Sequence, residues 1–316
     1  MEITILGRIG YDLYSEEPNV PLPQVRRFSR YLGGSSANMA VGLARLGASV
    51  GIVASLGNDA LSEFLMQFLR AEKVDLSRVQ IAPGYLPSLC LTEVSPPDRF
   101  PQVFYRRDPV DTRLDIGDED LRYIGASRMF ITNGTSLCAS PSREATYRAL
   151  EHAKEAGCRV VLDVDYRSMS WAKPEDAGMA VRLALPFVDV LIGNDLELKL
   201  VTGAGGLEEA VMKLRLARVP MLVSKLGDQG TRVWVGDEPV FLAPYAVPVV
   251  STIGAGDGFA AGFLFALLRG LTVIECLHYG NAAAAIVVSR LSCSEAMPVL
   301  AEVKHMIEKQ RAAGQS

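Results

Sequence analysis

Short aliphatic and β-branched runs alternate with amphipathic stretches along most of this 316-residue chain, and that alternation leaves few folds open. Residues 3–6, 50–53, 129–132, 159–164, 188–192 and 220–224 are almost continuously apolar, as strands covered on both faces must be. Between them the apolar period becomes helical. Within 36–46, Ala37, Ala40, Val41 and Ala44 fall at i, i+3, i+4 and i+7 and share one face. Residues 61–71, 142–156 and 207–217 follow the same period. Strand then helix, repeated, predicts an α/β fold with a mostly parallel central sheet flanked by helices.

Composition fits a chain with a full core. Hydrophobic residues make up 49% and charged residues 22%, which excludes a disordered chain. A 34.2 kDa chain should fold to a surface of about 13,000 Å². The net charge of −4 and pI near 5.6 argue against a nucleic-acid partner. No membrane partner is expected, because the most apolar run, 259–268, contains Gly262 and is far shorter than the ~20 residues that span a bilayer. The opening residues carry an acid, Glu2, and no cationic stretch, so they read as a first strand rather than a secretory signal. Five scattered cysteines without a Cys-x-x-Cys pair point to free, buried thiols and a reducing cytoplasm, where the Asn133-Gly-Thr135 sequon is a chance match. Three histidines lack His-Glu-x-x-His spacing, and there is no Gly-Lys pair. Zinc hydrolase and Walker-type nucleotide chemistry are thereby set aside.

Two segments break the rhythm. Residues 11–32 are polar and carry Pro18, Pro21 and Pro23; residues 84–114 alternate apolar and polar around Pro87, Pro96, Pro97 and Pro101. Both are expected to form antiparallel strands and hairpins that project from the sheet edge as a lid, the alternative being surface loops. A lid matters because it excludes water from group-transfer chemistry. Residues 231–235 and 239–242, separated by Gly236-Asp-Glu238, form a second hairpin, and from Gly254 onward the pattern is helical. The whole, 1–316, reads as one domain.

The strongest local signal is Ser251-Thr-Ile-Gly-Ala-Gly-Asp257 followed by Gly-Phe-Ala-Ala-Gly262. A glycine-rich turn that opens a helix leaves bare N–H groups at the positive end of the helix dipole, which attracts anions. Asp257 can cap that helix or face a hydroxyl group. A second glycine-rich turn, Gly33-Gly-Ser-Ser-Ala-Asn38, also precedes a helix. With Asp12 after the first strand, Asn194-Asp-Leu-Glu197, and Lys225-Leu-Gly227 through Gly230, these motifs resemble the ribokinase-like (PfkB) carbohydrate kinases over essentially the whole chain.

The resemblance implies a ribokinase-like fold, ATP and Mg²⁺. It implies that Asp257 is the catalytic base and that the N–H groups of Gly254, Ala255 and Gly256 form an anion hole. Asn194 and Glu197 would place magnesium and phosphates, Glu197 through water; the alternative for Glu197 is a solvated helix face. Lys225, Gly227, Gly230 and Asn281 would contact the nucleotide. Asp12, Gly33, Gly34 and Asn38 would line the sugar-binding face. Ser251 departs from the family, whose second signature commonly starts with an aspartate that contributes to a potassium site. Monovalent-cation activation is therefore an open point. The family also implies a homodimer formed through the lid.

Further stretches bear on the acceptor. Ser140-Pro-Ser-Arg-Glu-Ala145, Asp165-Tyr-Arg167 with Trp171, and Ser294-Glu-Ala-Met-Pro298 resemble a subgroup of inositol breakdown, as does Tyr105-Arg106 with Asp108 and Asp111. That subgroup acts on the keto-sugar acid 5-dehydro-2-deoxy-D-gluconate. Its carboxylate would suit the planar fork of arginine, with Arg106 and Arg167 as candidates. The plainer alternatives are that Arg106 solubilises an exposed strand and that Arg167 pairs with Asp163 or Asp165. Other acceptors in the family would be 2-dehydro-3-deoxygluconate or fructose; outside catalysis, the alternative is a sugar or nucleotide sensor. A Rossmann dehydrogenase is disfavoured because no Gly-x-Gly-x-x-Gly follows the first strand.

Overall fold

Strand β1 (Ile3–Leu6) is buried along its full length and lies inside a nine-stranded sheet. A computed structural model describes residues 1–96, 99–312 and 314. From β1 the chain makes a first excursion as β2 (Gly10–Ser15) and β3 (Phe28–Gly33), then returns through helix α1 (Ser35–Arg45) to β4 (Val50–Leu56). Helix α2 (Ala60–Ala71), capped by the Asp59 carboxylate on the Leu61 and Ser62 amides, leads to β5 (Asp75–Ile81). A second excursion forms β6 (Leu89–Thr92) and β7 (Gln102–Tyr105), followed by helix α3 (Asp118–Gly125).

The rhythm is then regular. It runs through β8 (Met129–Asn133), α4 (Ser142–Glu155), β9 (Arg159–Asp163), α5 (Pro174–Ala184) and β10 (Val190–Asn194). Helices α6 (Asp195–Thr202) and α7 (Leu207–Leu216) lead to β11 (Met221–Lys225). The hairpin of β12 (Thr231–Trp234) and β13 (Pro239–Leu242) follows, then α8 (Ala255–Leu268), α9 (Val273–Val288) and α10 (Leu300–Ala312).

The large sheet has the order β13-β12-β11-β10-β9-β8-β1-β4-β5. Strands β11 to β5 of that order are parallel, and β12 and β13 are antiparallel. Alternate side chains sort to two cores because strand side chains alternate faces. In β10, Val190 and Ile192 join the core that contains α1, α8 and α9, whereas Leu191 joins the core of α4 to α7. Helix α8 is buried from Gly258 through Leu268, so it lies inside the molecule rather than on it. The surface is 13281 Å², in line with the chain's mass. Among the described residues, no helix is long and apolar enough to cross a membrane.

The two proline-rich excursions assemble into a four-stranded sheet of order β3-β2-β6-β7. One expectation needs correction: this sheet is mixed. Each excursion is an antiparallel hairpin, but β2 and β6 pair in parallel, because both leave the same end of the large sheet in the same direction. Pro97 lies outside the described residues. Strand β5 was not anticipated. It is an edge strand, half-buried to exposed along its length, and its Asp, Ser, Arg and Gln residues mask the strand pattern.

Candidate active site

Parallel strands present their carboxyl ends to one edge of a sheet, and ligands bind there. Here that edge collects the chemistry. Arg8 and Asp12 follow β1, Asp163 ends β9 with Asp165 and Arg167 beyond it, Asn194 ends β10 and Lys225 ends β11. The amino end of α8 meets the same edge.

At that end Gly254 has φ +84°, the left-handed region, and a Cβ there would come within 3.0 Å of Cys293. Among the described residues, the N–H groups of Gly254, Gly256 and Asp257 have no hydrogen-bond partner, whereas the Ala255 N–H turns back to the Thr252 carbonyl at 3.4 Å. Of the trio expected at 254–256, Gly254 and Gly256 keep bare donors, and Asp257 rather than Ala255 supplies the third. The Asp257 carboxylate does not cap its own helix. It accepts from Ser35 Oγ at 2.7 Å and from Asn38 Nδ2 at 2.8 Å, both at the start of α1. The two glycine-rich turns therefore meet across this one side chain.

Two clefts adjoin there. The larger, of about 450 Å³, is lined by Lys225, Gly227, Gly230, Ala255, Gly256 and Asn281, with apolar walls from Tyr245, Val247 and Phe259. Asn281 donates to the Ala243 carbonyl at 2.7 Å, so it shapes the wall through that loop. The smaller pocket, of about 50 Å³, holds Asp12, Gly34, Asn38, Arg167, Gly254 and Asp257, with Phe104 and Cys90 from the small sheet. Registry explains that wall: Asp12 lies opposite Cys90, and Cys90 opposite Phe104, on one face of the small sheet. Gly33 is not a lining residue. A Cβ there would lie 2.3 Å from the Asp12 carboxyl, so its bare backbone makes room for that group. Burial raises Asp12 to about 6 against the opposing pull of Arg8 and Arg167.

Beside this turn is a buried charge cluster. Lys225 Nζ lies 3.0 Å from Asp163 Oδ2. Burial alone would pull this ammonium down, but Asp163 and then Glu197 outweigh it and hold the lysine above its ordinary range. Burial likewise raises Asp163, to about 7. Glu197 is not on a solvated helix face. It is buried, and its oxygens accept from the Tyr166 N–H at 2.9 Å and the Asn194 N–H at 2.8 Å, in a capping box with Asn194. No group of three or more His, Cys, Asp or Glu side chains among the described residues is arranged to hold a metal by itself. Magnesium suits such a site only if phosphates and water supply most of its ligands, which is its usual habit.

The two arginine candidates differ. Arg106 does not solubilise an exposed strand, and its fork is not free for a ligand. Nη1 and Nη2 donate to Asp111 at 2.8 and 2.6 Å, and Nε donates to Ser170 at 3.1 Å. Arg167 has one ion pair, Nε to Asp165 Oδ1 at 2.9 Å, and its side chain lines the smaller pocket at 41% exposure. Ser35, Cys90, Phe104, Gln102, Cys293 and Arg8 also reach this pocket, and sequence reasoning had not singled them out as site residues. Arg8 was findable as the first charged residue beyond β1, only four positions before Asp12.

A doubly covered parallel sheet with two clefts meeting at a bare helix end is the architecture of an enzyme that passes an anionic group between two small molecules. The model for "pfkB family carbohydrate kinase" matches residues 2–300. The chain is similar to the 5-dehydro-2-deoxygluconokinase of Shouchella clausii (strain KSM-K16), 36% identical over 313 residues that cover 98% of this chain and 96% of that one. It is 34% identical over 318 residues to the enzyme of the same name from Clostridium tetani (strain Massachusetts / E88), covering 98% and 94%. Its fold matches a putative Ribokinase II from E. coli, solved in complex with ATP and Mg²⁺, at TM-score 0.88 and 21% identity, covering 98% of this chain and 99% of that one. The chain belongs to the pfkB family of carbohydrate kinases.

Proposed function

We propose that this kinase transfers the γ-phosphoryl group of ATP to the primary hydroxyl of 5-dehydro-2-deoxy-D-gluconate. The observation that carries this reading is the position of Asp257, whose carboxylate lines the smaller pocket one residue beyond Gly256 in the larger cleft. The names of the relatives support the choice of acid, and Arg167 supplies a cation to receive its carboxylate.

In this mechanism the apolar walls of the larger cleft take the adenine, and Lys225 meets the phosphates. Asp257 accepts the proton of the acceptor hydroxyl, whose oxygen bonds to the γ-phosphorus as the bond to the β–γ bridging oxygen breaks and ADP leaves. Ser35 and Asn38 fix the carboxylate so that its proton-accepting lone pair is aimed rather than free to rotate. The N–H groups of Gly254, Gly256 and Asp257 stabilise charge on the transferring group. Magnesium, when bound with the nucleotide, would neutralise phosphate charge, with Glu197 and Asp163 as the acids able to orient its waters. The small sheet supplies Cys90, Gln102 and Phe104 to the wall of the smaller pocket, and we propose that it acts as a lid on a single kinase domain.

A turnover panel at limiting acceptor tests the assignment. The highest kcat/KM is expected for 5-dehydro-2-deoxy-D-gluconate; a higher value for 2-dehydro-3-deoxygluconate or fructose would overturn the choice of acceptor. Acceptor binding should also follow Asp12. Its ionised carboxylate accepts hydroxyl protons, so the acceptor KM is expected to rise as pH falls through about 6. Asp12→Asn should raise KM at neutral pH and flatten that rise; a profile unchanged by the substitution would assign the titration elsewhere.

The small sheet ends in β7, where Val103 and Tyr105 are 47% and 64% exposed. An open edge with apolar side chains needs a partner, and we propose a second copy of this chain. Light scattering should give twice 34.2 kDa, and Tyr105→Lys should shift it toward the single-chain mass.

A further inference from the structure

Among the described residues, Arg8 is a buried cation that makes no salt bridge. It is only 7% exposed, yet among the described residues no carboxylate comes within salt-bridge distance. Its one hydrogen bond to a side chain is from Nη1 to Ser88 Oγ, at 3.0 Å. A guanidinium carries five N–H donors, and leaving them dry and unpaired is costly. The smaller pocket is where they are relieved, because Arg8 lines it together with Asp12 and Arg167.

The backbone is shaped to hold Arg8 there. Gly34 has φ +91°, and a Cβ at that position would lie 2.6 Å from the Arg8 carbonyl oxygen; one on Gly10 would lie 2.9 Å from Arg8 Nη1. The glycine-rich turn at 33–38 thus packs directly against the backbone of this arginine. Arg8 reaches this pocket from just beyond β1 and Arg167 from beyond β9, while Arg106, two residues past the lining Phe104, has its fork taken by Asp111 and Ser170.

We propose that Arg8, with Arg167, receives the carboxylate of the acceptor, and that Arg106 braces this wall without touching the ligand. The inference rests on the reading above that the acceptor is a sugar acid. It assigns specificity to a residue at the end of the first strand. An acid bound there would neutralise the buried guanidinium with charge-assisted hydrogen bonds, and a neutral sugar would leave it unpaired. Selection against neutral acceptors follows from the same cost.

The test measures binding of two probes, 5-dehydro-2-deoxy-D-gluconate and its primary amide, in the presence of a non-hydrolysable ATP analogue. Wild type should prefer the acid. Arg8→Met should weaken the acid by roughly thirtyfold or more and the amide by less than threefold. Arg8→Lys keeps the charge without the fork and should give an intermediate loss for the acid alone. Unchanged affinity for the ATP analogue in both variants establishes that the fold survives. Equal losses for acid and amide, or an acid affinity unaffected by either variant, would overturn the proposal, as would a wild type that does not distinguish the probes. Turnover separates this from the acceptor assignment. Wild type that binds the acid through Arg8 but phosphorylates another sugar acid faster refutes the assignment and leaves the role of Arg8 standing.

Discussion

Asp257→Asn is expected to lower kcat by about 10³-fold while the affinity for ATP changes little. The two amide atoms of asparagine fill the space of the carboxylate. However, the nitrogen is a donor that must face either Ser35 Oγ or Asn38 Nδ2, which donate to Oδ1 and Oδ2 of the carboxylate at 2.7 and 2.8 Å. The substitution thus removes the proton acceptor and disturbs its support together. The bare N–H groups of the turn remain, so residual transfer should persist above the uncatalysed rate. Single-turnover measurements with saturating ATP check this. Turnover within tenfold of wild type would reject Asp257 as the base.

The second large effect is on the fold. Lys225→Met should destabilise the protein by about 3 kcal/mol, because it strands the Asp163 carboxylate in the interior. The figure sits at the low end for a broken buried pair, since the Lys225 side chain is 19% exposed and Asp163 is able to take up a proton. Asp163→Asn combined with Lys225→Met should recover most of that loss, with denaturant unfolding as the readout. Such recovery would not restore activity, because the nucleotide cleft still lacks its ammonium group. If the double variant is no more stable than the single one, the ion pair is not what anchors this corner.

Several features were legible because they are local. The continuous apolar run 3–6 matches β1 residue for residue, and 142–156 matches α4 to within one residue. Glycine turns that precede helices are likewise local, which is why 33–38 and 251–257 stood out. Edge strand β5 was hidden because one face of Asp75–Ile81 is wet and carries polar residues. The parallel pairing of β2 with β6 was hidden because Tyr11 and Leu89 are far apart in the chain, and nothing near either residue encodes their register.

The arginines show the division most clearly. The family resemblance put forward Arg106 and Arg167 as candidates to receive an acid, since a planar cation is what a carboxylate needs wherever the chain brings it. Which guanidinium has free donors depends on what folds against it. Asp111, only five residues from Arg106, takes both arms of that fork, while among the described residues Arg8 donates to one side chain, that of Ser88, 80 positions away. Sequence alone determined the alternating layers, the two glycine turns and the chemical kinds of side chain at the edge, because backbone freedom and apolar period act over a few residues. Only the tertiary structure decided which charges are cancelled inside the protein and which are left for a ligand, because Coulomb attraction and desolvation depend on distances the chain sets when it closes.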